Sequence, residues 1–197
     1  LDAFVDCLML KSANIRSTVT SFGPFVFMNC QSLEEIVIPA SVGKIGYRTF
    51  DGCVSLKKVT IENGITELED IAFGSTAIES IELPPSLTVI GQQAFKECRN
   101  LKEIQWPESV TKVESLMFYG CEALTEIEFP DTVTEIGVNA MGNCKALKRV
   151  VLPKNLTTLK TYTFFRCTSL AEIDIPDAVN LIDEQAFSQS NPVWIVS

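Results

Sequence analysis

The sequence has 197 residues, of which 46% are hydrophobic, and it carries a formal net charge of −9 with no histidine. Its lysines and arginines are scattered, which argues against nucleic acid and against an acidic membrane surface as partners. Charged or polar residues interrupt every apolar stretch before it reaches 18 residues, so we expect no membrane span.

One pattern of apolar residues recurs along the whole chain every 22 or 23 residues. Each unit opens with a large apolar side chain, and the nine openers are Phe4, Phe27, Phe50, Phe73, Phe95, Phe118, Met141, Phe164 and Phe187. A fixed period of this length is typical of stacked coils that complete one another. We therefore predict one domain over residues 1–197, a mostly β solenoid of about eight 23-residue coils, and expect it to be a fragment of a longer protein.

Each coil contains a short segment with the spacing of a β-strand. In the coil that opens at Phe27, Leu33, Ile36 and Ile38 follow the pattern Leu-x-x-Ile-x-Ile, and Pro39 comes next. Alternate residues of such a strand are buried, and proline cannot continue a hydrogen-bonded ladder. Equivalent strands should stack in parallel. A recurring Val-Thr-x-Ile segment predicts a second, less regular sheet with threonine hydroxyls bonded to the backbone, and we expect a tight or helical turn before each opener.

The cysteines occupy a single position of the repeat, three residues after an opener. They are Cys7, Cys30, Cys53, Cys98, Cys121, Cys144 and Cys167, and Ser75 or Thr76 interrupts the column in a unit that is one residue shorter. Equivalent Cβ atoms should lie about 4.8 Å apart, farther than the roughly 3.8 Å of a disulfide. We interpret the column as buried free thiols that pack as small hydrophobic side chains, in a location where thiols survive, such as the cytosol or an anoxic exterior.

Metal and cofactor sites are not predicted. The chain has no C-x-x-C spacing and no histidine, both of which are common in metal sites. Calcium bridging between acidic residues of neighbouring coils stays open, although no EF-hand type of loop is present. Trp106 stands eleven residues after its opener, where the repeat places a core residue. We therefore expect Trp106 to pack inside, and Trp194 lies in the incomplete last coil.

The repeat motif Leu-x-x-Ile-x-Ile-Pro-x-x-Val-Thr-x-Ile-Gly-x-x-Ala-Phe-x-x-Cys occurs nearly whole over residues 33–53 and again over 124–144. It resembles the BspA-type leucine-rich repeat. The resemblance implies a right-handed leucine-rich-repeat arc with a parallel sheet on its concave face. It also implies an exported protein, at the cell surface or secreted, because members of that family are typically surface proteins implicated in adhesion to host proteins or other cells.

In such an arc, the residues eight and ten positions after each opener would point away from the core and line the concave face. The candidate binding residues on this face are Glu35, Lys58, Glu82, Glu103, Gln105, Glu126, Glu128, Arg149, Glu172 and Asp174. From Ser80 to Asp174 the face carries six carboxylates against Arg149 alone, so a basic protein surface is its natural complement. The alternative is an ordinary solvated face, kept charged so that the protein does not aggregate.

Catalysis by these carboxylates is disfavoured. Glu126 and Glu128 should lie about 6.5 to 7 Å apart along the strand, a separation that inverting glycosidases use. However, an open sheet lacks the enclosed apolar pocket that raises the pKa of a general acid, and a Ser-His-Asp set needs a histidine. We therefore predict a non-catalytic protein-interaction module, and the resemblance to BspA-type proteins implies that it is part of a bacterial surface adhesin whose ligand is a host or other cell-surface protein. An intracellular or secreted scaffold and a structural stalk remain alternatives.

Overall fold

The computed structural model describes residues 3–190 and the strand backbone of 193–196. Over these residues the chain forms a mostly β parallel solenoid of about seven turns of roughly 23 residues. The described residues contain no α-helix, and a 3-10 helix spans Ala40–Val42. No helix among them is long and apolar enough to cross a membrane. The fold class predicted from the repeat is confirmed.

Each coil from the one that opens at Phe27 to the one that opens at Phe164 contributes two short strands, separated by a turn that usually contains proline. In chain order the strands are β1 (Ser12–Ala13), β2 (Glu35–Ile38), β3 (Lys44–Ile45), β4 (Lys58–Ile61), β5 (Glu67–Leu68), β6 (Ser80–Ile81), β7 (Val89–Ile90), β8 (Glu103–Ile104), β9 (Lys112–Val113), β10 (Glu126–Glu128), β11 (Glu135–Ile136), β12 (Arg149–Val151), β13 (Thr158–Leu159), β14 (Glu172–Ile175), β15 (Leu181–Ile182) and β16 (Val193–Val196).

The strands form two stacks of parallel pairs. The first sheet side contains β1-β2-β4, β6-β8, β10-β12 and β14-β16, and the second contains β3-β5-β7, β9-β11 and β13-β15. Pairing joins equivalent positions of neighbouring coils, as where Glu35 lies opposite Lys58. Hydroxyls of the second side bond to the preceding coil, since Thr88 Oγ1 donates to the Thr66 carbonyl at 3.2 Å. The expected second sheet and its threonine hydrogen bonds are therefore present.

The openers form a column of stacked rings inside the solenoid. From Phe4 to Phe118, successive ring centroids lie 5.1 to 5.8 Å apart with interplanar angles of 2° to 6°. Met141 interrupts the column, and Phe164 stacks on Phe187 after it. Such offset-stacked rings are each worth about 0.5 to 1.5 kcal/mol beyond the apolar area they bury.

Trp106 is buried beside the interruption in this column. Its Nε1–H donates to the Val110 carbonyl at 2.9 Å, and its ring meets Phe118 and Phe129 edge-on at 5.9 and 5.7 Å. The prediction that Trp106 packs in the core is confirmed. Methionine adapts its shape to irregular gaps, which suits Met141 to a core crowded by these larger rings. The Trp194 side chain lies outside the described residues.

Backbone hydrogen bonds join the coils without a break on the side that carries the openers. On this side, each coil has a segment that runs from two residues before its opener to two residues after it. We call the stack of these segments the turn spine. From Phe4 to Phe164, each opener N–H donates to the carbonyl of the residue before the next opener, as from Phe50 to Ala72 at 2.9 Å. Residues two before and two after the opener take left-handed φ angles, for example Ile71 at 59° and Ser75 at 55°. The predicted tight or helical turn is thus a series of tight turns.

Candidate protein interface

The first sheet exposes one outward side chain at every second strand residue. In β2, Glu35 and Val37 are exposed whereas Ile36 and Ile38 are buried. This alternation follows directly from the two-residue side-chain period of a strand. The ten candidate binding residues are all exposed, so the predicted inward and outward assignment is correct. Their role in binding stays a prediction. We call this exposed surface the sheet face.

The sheet face contains three shallow grooves that differ in charge. The central groove, of about 380 Å³, is lined by Glu82, Glu103, Glu126, Glu128 and Arg149 together with neutral residues. Four carboxylates against one guanidinium give this groove a net charge of −3. Arg149 Nη1 approaches Glu126 Oε2 at 3.9 Å, with both side chains more than half exposed. Such an exposed pair contributes about 0 to 1 kcal/mol, so both groups remain available to a partner.

The N-terminal groove is close to neutral. It has a volume of about 450 Å³, and its charged lining residues are Glu35 and Lys58, which face each other in register. Ser12, Asn14, Val37 and Thr60 supply the rest of its outward side chains. Val37 is 52% exposed, which places an aliphatic group on this part of the surface.

The C-terminal groove is also balanced in charge. Its volume is about 910 Å³, and its charged lining residues are Lys148, Arg149, Lys154, Glu172, Asp174 and Asp177. Three cations against three anions leave no net charge. The sequence pattern grouped Glu172 and Asp174 with the acidic residues upstream, because it considered the sheet columns alone. Lys148 and Lys154 come from outside those columns, so the excess of negative charge belongs to the central groove.

The flanks of the coils carry ion pairs between neighbouring coils. Lys102 Nζ lies 2.7 Å from Glu79 Oε2, and Glu135 bonds to Lys160 and to Lys112 on either side. The hydrogen bond from Lys160, followed by that from Lys112, lowers the pKa of Glu135. These pairs join adjacent coils on the flank and on the second sheet, whereas the central groove has an exposed pair, Arg149 and Glu126, at the longer distance of 3.9 Å.

The thiol column lies inside the solenoid next to the turn spine. All seven cysteines are free; six are buried and Cys7 is partly buried, as the sequence predicted. Each buried thiol also donates to the carbonyl of an opener in the preceding coil, as from Cys144 to Phe118 at 3.1 Å and from Cys121 to Phe95 at 3.2 Å. The interpretation of these thiols as small hydrophobic side chains therefore missed their role as hydrogen-bond donors.

The two positions of the column that lack cysteine contain hydroxyls. Ser190 Oγ donates to the Phe164 carbonyl at 2.6 Å. Thr76 Oγ1 donates to its own opener, Phe73, at 3.0 Å and lies 3.2 Å from Cys98 Sγ. Serine, threonine and cysteine all have a short side chain that can donate a hydrogen bond. This shared property could have predicted from the sequence that the column donates hydrogen bonds.

Burial keeps the thiols protonated. Desolvation raises the pKa of Cys53 and of Cys167 to about 12, and it raises the pKa of Cys98 to about 11. The thiolate is the form that reacts with oxidants and metals. The buried thiols are therefore poor nucleophiles near neutral pH.

The geometry of the sheet face does not suit acid–base catalysis. Glu126 and Glu128 both lie in an open groove and are exposed, whereas a general acid needs an enclosed apolar site to keep its proton at neutral pH. Among residues 3–190, no group of three or more cysteine and carboxylate side chains could hold a metal ion.

Several solved structures of bacterial leucine-rich repeat proteins are similar to this chain. A leucine rich cell surface protein from Faecalibacterium prausnitzii is 27% identical, with a TM-score of 0.59 over 95% of this chain and 67% of its own. A leucine-rich repeat protein from T. pallidum is 28% identical, with a TM-score of 0.56 over 83% of this chain and 66% of its own. One from Bacteroides ovatus, at 21% identity and a TM-score of 0.56 over 98% of this chain and 86% of its own, shares the fold.

The sequence itself identifies the family. No curated protein matches the chain, but the model of the BspA type leucine rich repeat region matches residues 1–122 and 66–193 in six copies. Proteins of this family and fold are generally non-catalytic and act in protein interaction or as surface scaffolds. The period, the core and the matched residues together show that this chain belongs to the BspA-type leucine-rich-repeat family.

Proposed function

We propose that this chain is a non-catalytic binding module of a bacterial cell-surface adhesin, and that it binds a host or other cell-surface protein through its sheet face. The observation that carries the proposal is the central groove, where Glu82, Glu103, Glu126 and Glu128 are exposed on neighbouring strands and the lining has a net charge of −3. A basic protein surface complements this charge, which speeds association and selects among partners.

Export to the cell surface is supported by one relative, and the cysteine content is compatible with it. The relative from Faecalibacterium prausnitzii is described as a cell surface protein. The free cysteines suggested a reducing location, yet burial raises the pKa of six thiols and shields them from oxidants. Such thiols would survive outside the cell, so the cysteine content favours neither the intracellular scaffold nor the exported protein.

The proposal can be tested by measuring how the fluorescently labelled chain binds intact epithelial cells in flow cytometry. The double variant Glu103→Lys/Glu126→Lys reverses two charges in the central groove. Its control, Glu67→Lys/Glu184→Lys, makes the same change of net charge outside the first sheet. We expect the first variant to lose about tenfold or more in affinity, since like charges then face a basic partner, and the control to bind as the unmodified chain does.

Two results would contradict the proposal. Equal losses in the two double variants would mean that net charge, and not the central groove, governs attachment. Absence of cell binding by the unmodified chain would remove the adhesin role and leave the stalk as the better account. Circular dichroism of each variant checks that the coils remain folded.

A further inference from the structure

The charge of the sheet face changes over a short distance along the solenoid axis. The N-terminal groove pairs Glu35 with Lys58 and is neutral, whereas the central groove begins at Ser80 and Glu82 with a net charge of −3. Neighbouring strands lie about 4.8 Å apart. The coil of Val37 is therefore about 10 Å from the coil of Glu82, and one ligand segment can contact both grooves.

Val37 gives the N-terminal groove a different chemistry. Its side chain is 52% exposed and lies on the sheet face, opposite Thr60 in the next coil. An exposed aliphatic group in a shallow groove gains from contact with an apolar side chain, because burying apolar surface is favourable. Glu35 and Lys58, which lie opposite each other in register beside it, carry opposite charges and leave this groove without a net charge that would repel a basic segment. The same partner surface can therefore continue from the central groove onto this one.

We infer that the ligand of this face is bipartite, with an apolar side chain on Val37 in the N-terminal groove and a short basic cluster on the central groove. This inference rests on the proposed function, because it assigns both parts of the ligand to one partner. An extended segment rises about 3.3 Å per residue. The distance of about 10 Å between the coils of Val37 and Glu82 therefore separates the apolar residue of the ligand from its first basic residue by about three positions. From Ser80 to Arg149 the central groove spans three coil steps, about 14 Å, which accommodates about four basic residues.

The inference can be tested with two synthetic peptides that differ in one side chain. The first is Leu-Gly-Gly-Lys-Lys-Lys-Lys, and the second has glycine in place of leucine. Titration calorimetry at low ionic strength measures the affinity of each for the full chain. We expect the leucine peptide to bind about tenfold more tightly, which corresponds to the lower end of the gain from burying one aliphatic side chain.

Matched variants locate the apolar contact. Val37→Asp should abolish the difference between the two peptides, whereas Val54→Asp should preserve it. Val54 is the control because it is 57% exposed but lies four residues after its opener, away from the sheet face. Glu103→Lys/Glu126→Lys should weaken both peptides equally.

The outcomes separate this inference from the proposed function. If both peptides bind with equal affinity, the basic contact stands and the bipartite ligand is wrong. If Val37→Asp leaves the leucine peptide tenfold tighter, the apolar contact lies elsewhere and the inference fails. If neither peptide binds the unmodified chain, the central groove does not recognise basic segments. The inference then fails, and so does the part of the proposed function that assigns binding of a basic surface to the central groove.

Discussion

The turn spine and the sheet face differ in how continuously backbone hydrogen bonds join neighbouring coils. On the turn spine, the backbone bond from each opener to the next coil is present from Phe4 to Phe164. On the first sheet side, strand pairing is interrupted between β4 and β6, between β8 and β10, and between β12 and β14. The continuous hydrogen-bonded connection between coils therefore lies away from the surface with the varied side chains.

This difference separates the residues that hold the coils together from those that are free to vary on the surface. The turn spine is bordered by repeated residues, with stacked openers and the thiol column immediately inside it. In the strands of the sheet face, only every second residue must be apolar, because that residue points into the core. Its outward residues range from Glu to Lys, Val and Thr, because their substitution disturbs neither the core nor the continuous backbone bonds.

The largest expected effect comes from breaking the inward side of the sheet. Ile127 is 2% exposed, so Ile127→Asp would bury a charge without a partner and should abolish cooperative folding. Glu126→Lys, one residue away on the exposed side, should change the free energy of unfolding by less than about 0.5 kcal/mol. Thermal melts followed by circular dichroism compare the two. Similar melting temperatures would refute the assignment of the two faces.

High pH should weaken the protein through the thiol column. The pKa of a buried thiol such as Cys53 is raised from 9.0 to about 12, so its contribution to stability is complete below pH 9 and is lost as pH rises towards 12. In this range the unfolded chain releases protons that the folded chain retains. Each thiol then costs up to about 1.4 kcal/mol per pH unit.

Urea unfolding between pH 7 and 10.5 measures this dependence. Cys167→Ser removes one such thiol, so its stability should fall less steeply with pH than that of the unmodified chain. A slope unaffected by this replacement would show that other groups, and not the thiols, govern the alkaline transition.

A smaller effect is expected from removing a single donor of the column. The Phe118 carbonyl accepts from Cys121 N–H at 3.0 Å and from Cys144 Sγ at 3.1 Å. Cys144→Ala removes the second bond and leaves a small void, which should cost about 1 to 2 kcal/mol. Cys144→Ser keeps a donor, as Ser190 does in the last coil, and should cost less. If urea midpoints rank serine below alanine, sulfur packing outweighs the hydrogen bond.

The repeat period was enough to predict the coils, the strands and the buried side chains, because each is a local consequence of apolar spacing. The turn spine could not be predicted in the same way. Its left-handed positions carry bulky residues such as Phe25, Ile71 and Tyr162, whose own preference is against positive φ, so the neighbouring coils must impose that conformation.

The charge of the three grooves was also beyond the sequence pattern. Glu172 and Asp174 belong to the acidic columns, but Lys148 and Lys154 line the same groove from outside those columns, and Lys154 pairs with Asp131 of the preceding coil at 3.1 Å. Their position depends on how the coil bends after its strand. The column pattern therefore identified which side chains are exposed on the strands, but it did not include the lysines that line the C-terminal groove beside Glu172 and Asp174.

Because the bonds along the turn spine are made by backbone groups, any coil can follow any other with little dependence on side-chain identity. Unequal recombination within the gene could then insert or delete a whole repeat while the reading frame and the stacking both survive. Each such event would lengthen or shorten the sheet face by about 4.8 Å. The extent of the exposed surface would in this way be a property that selection adjusts in whole-repeat increments.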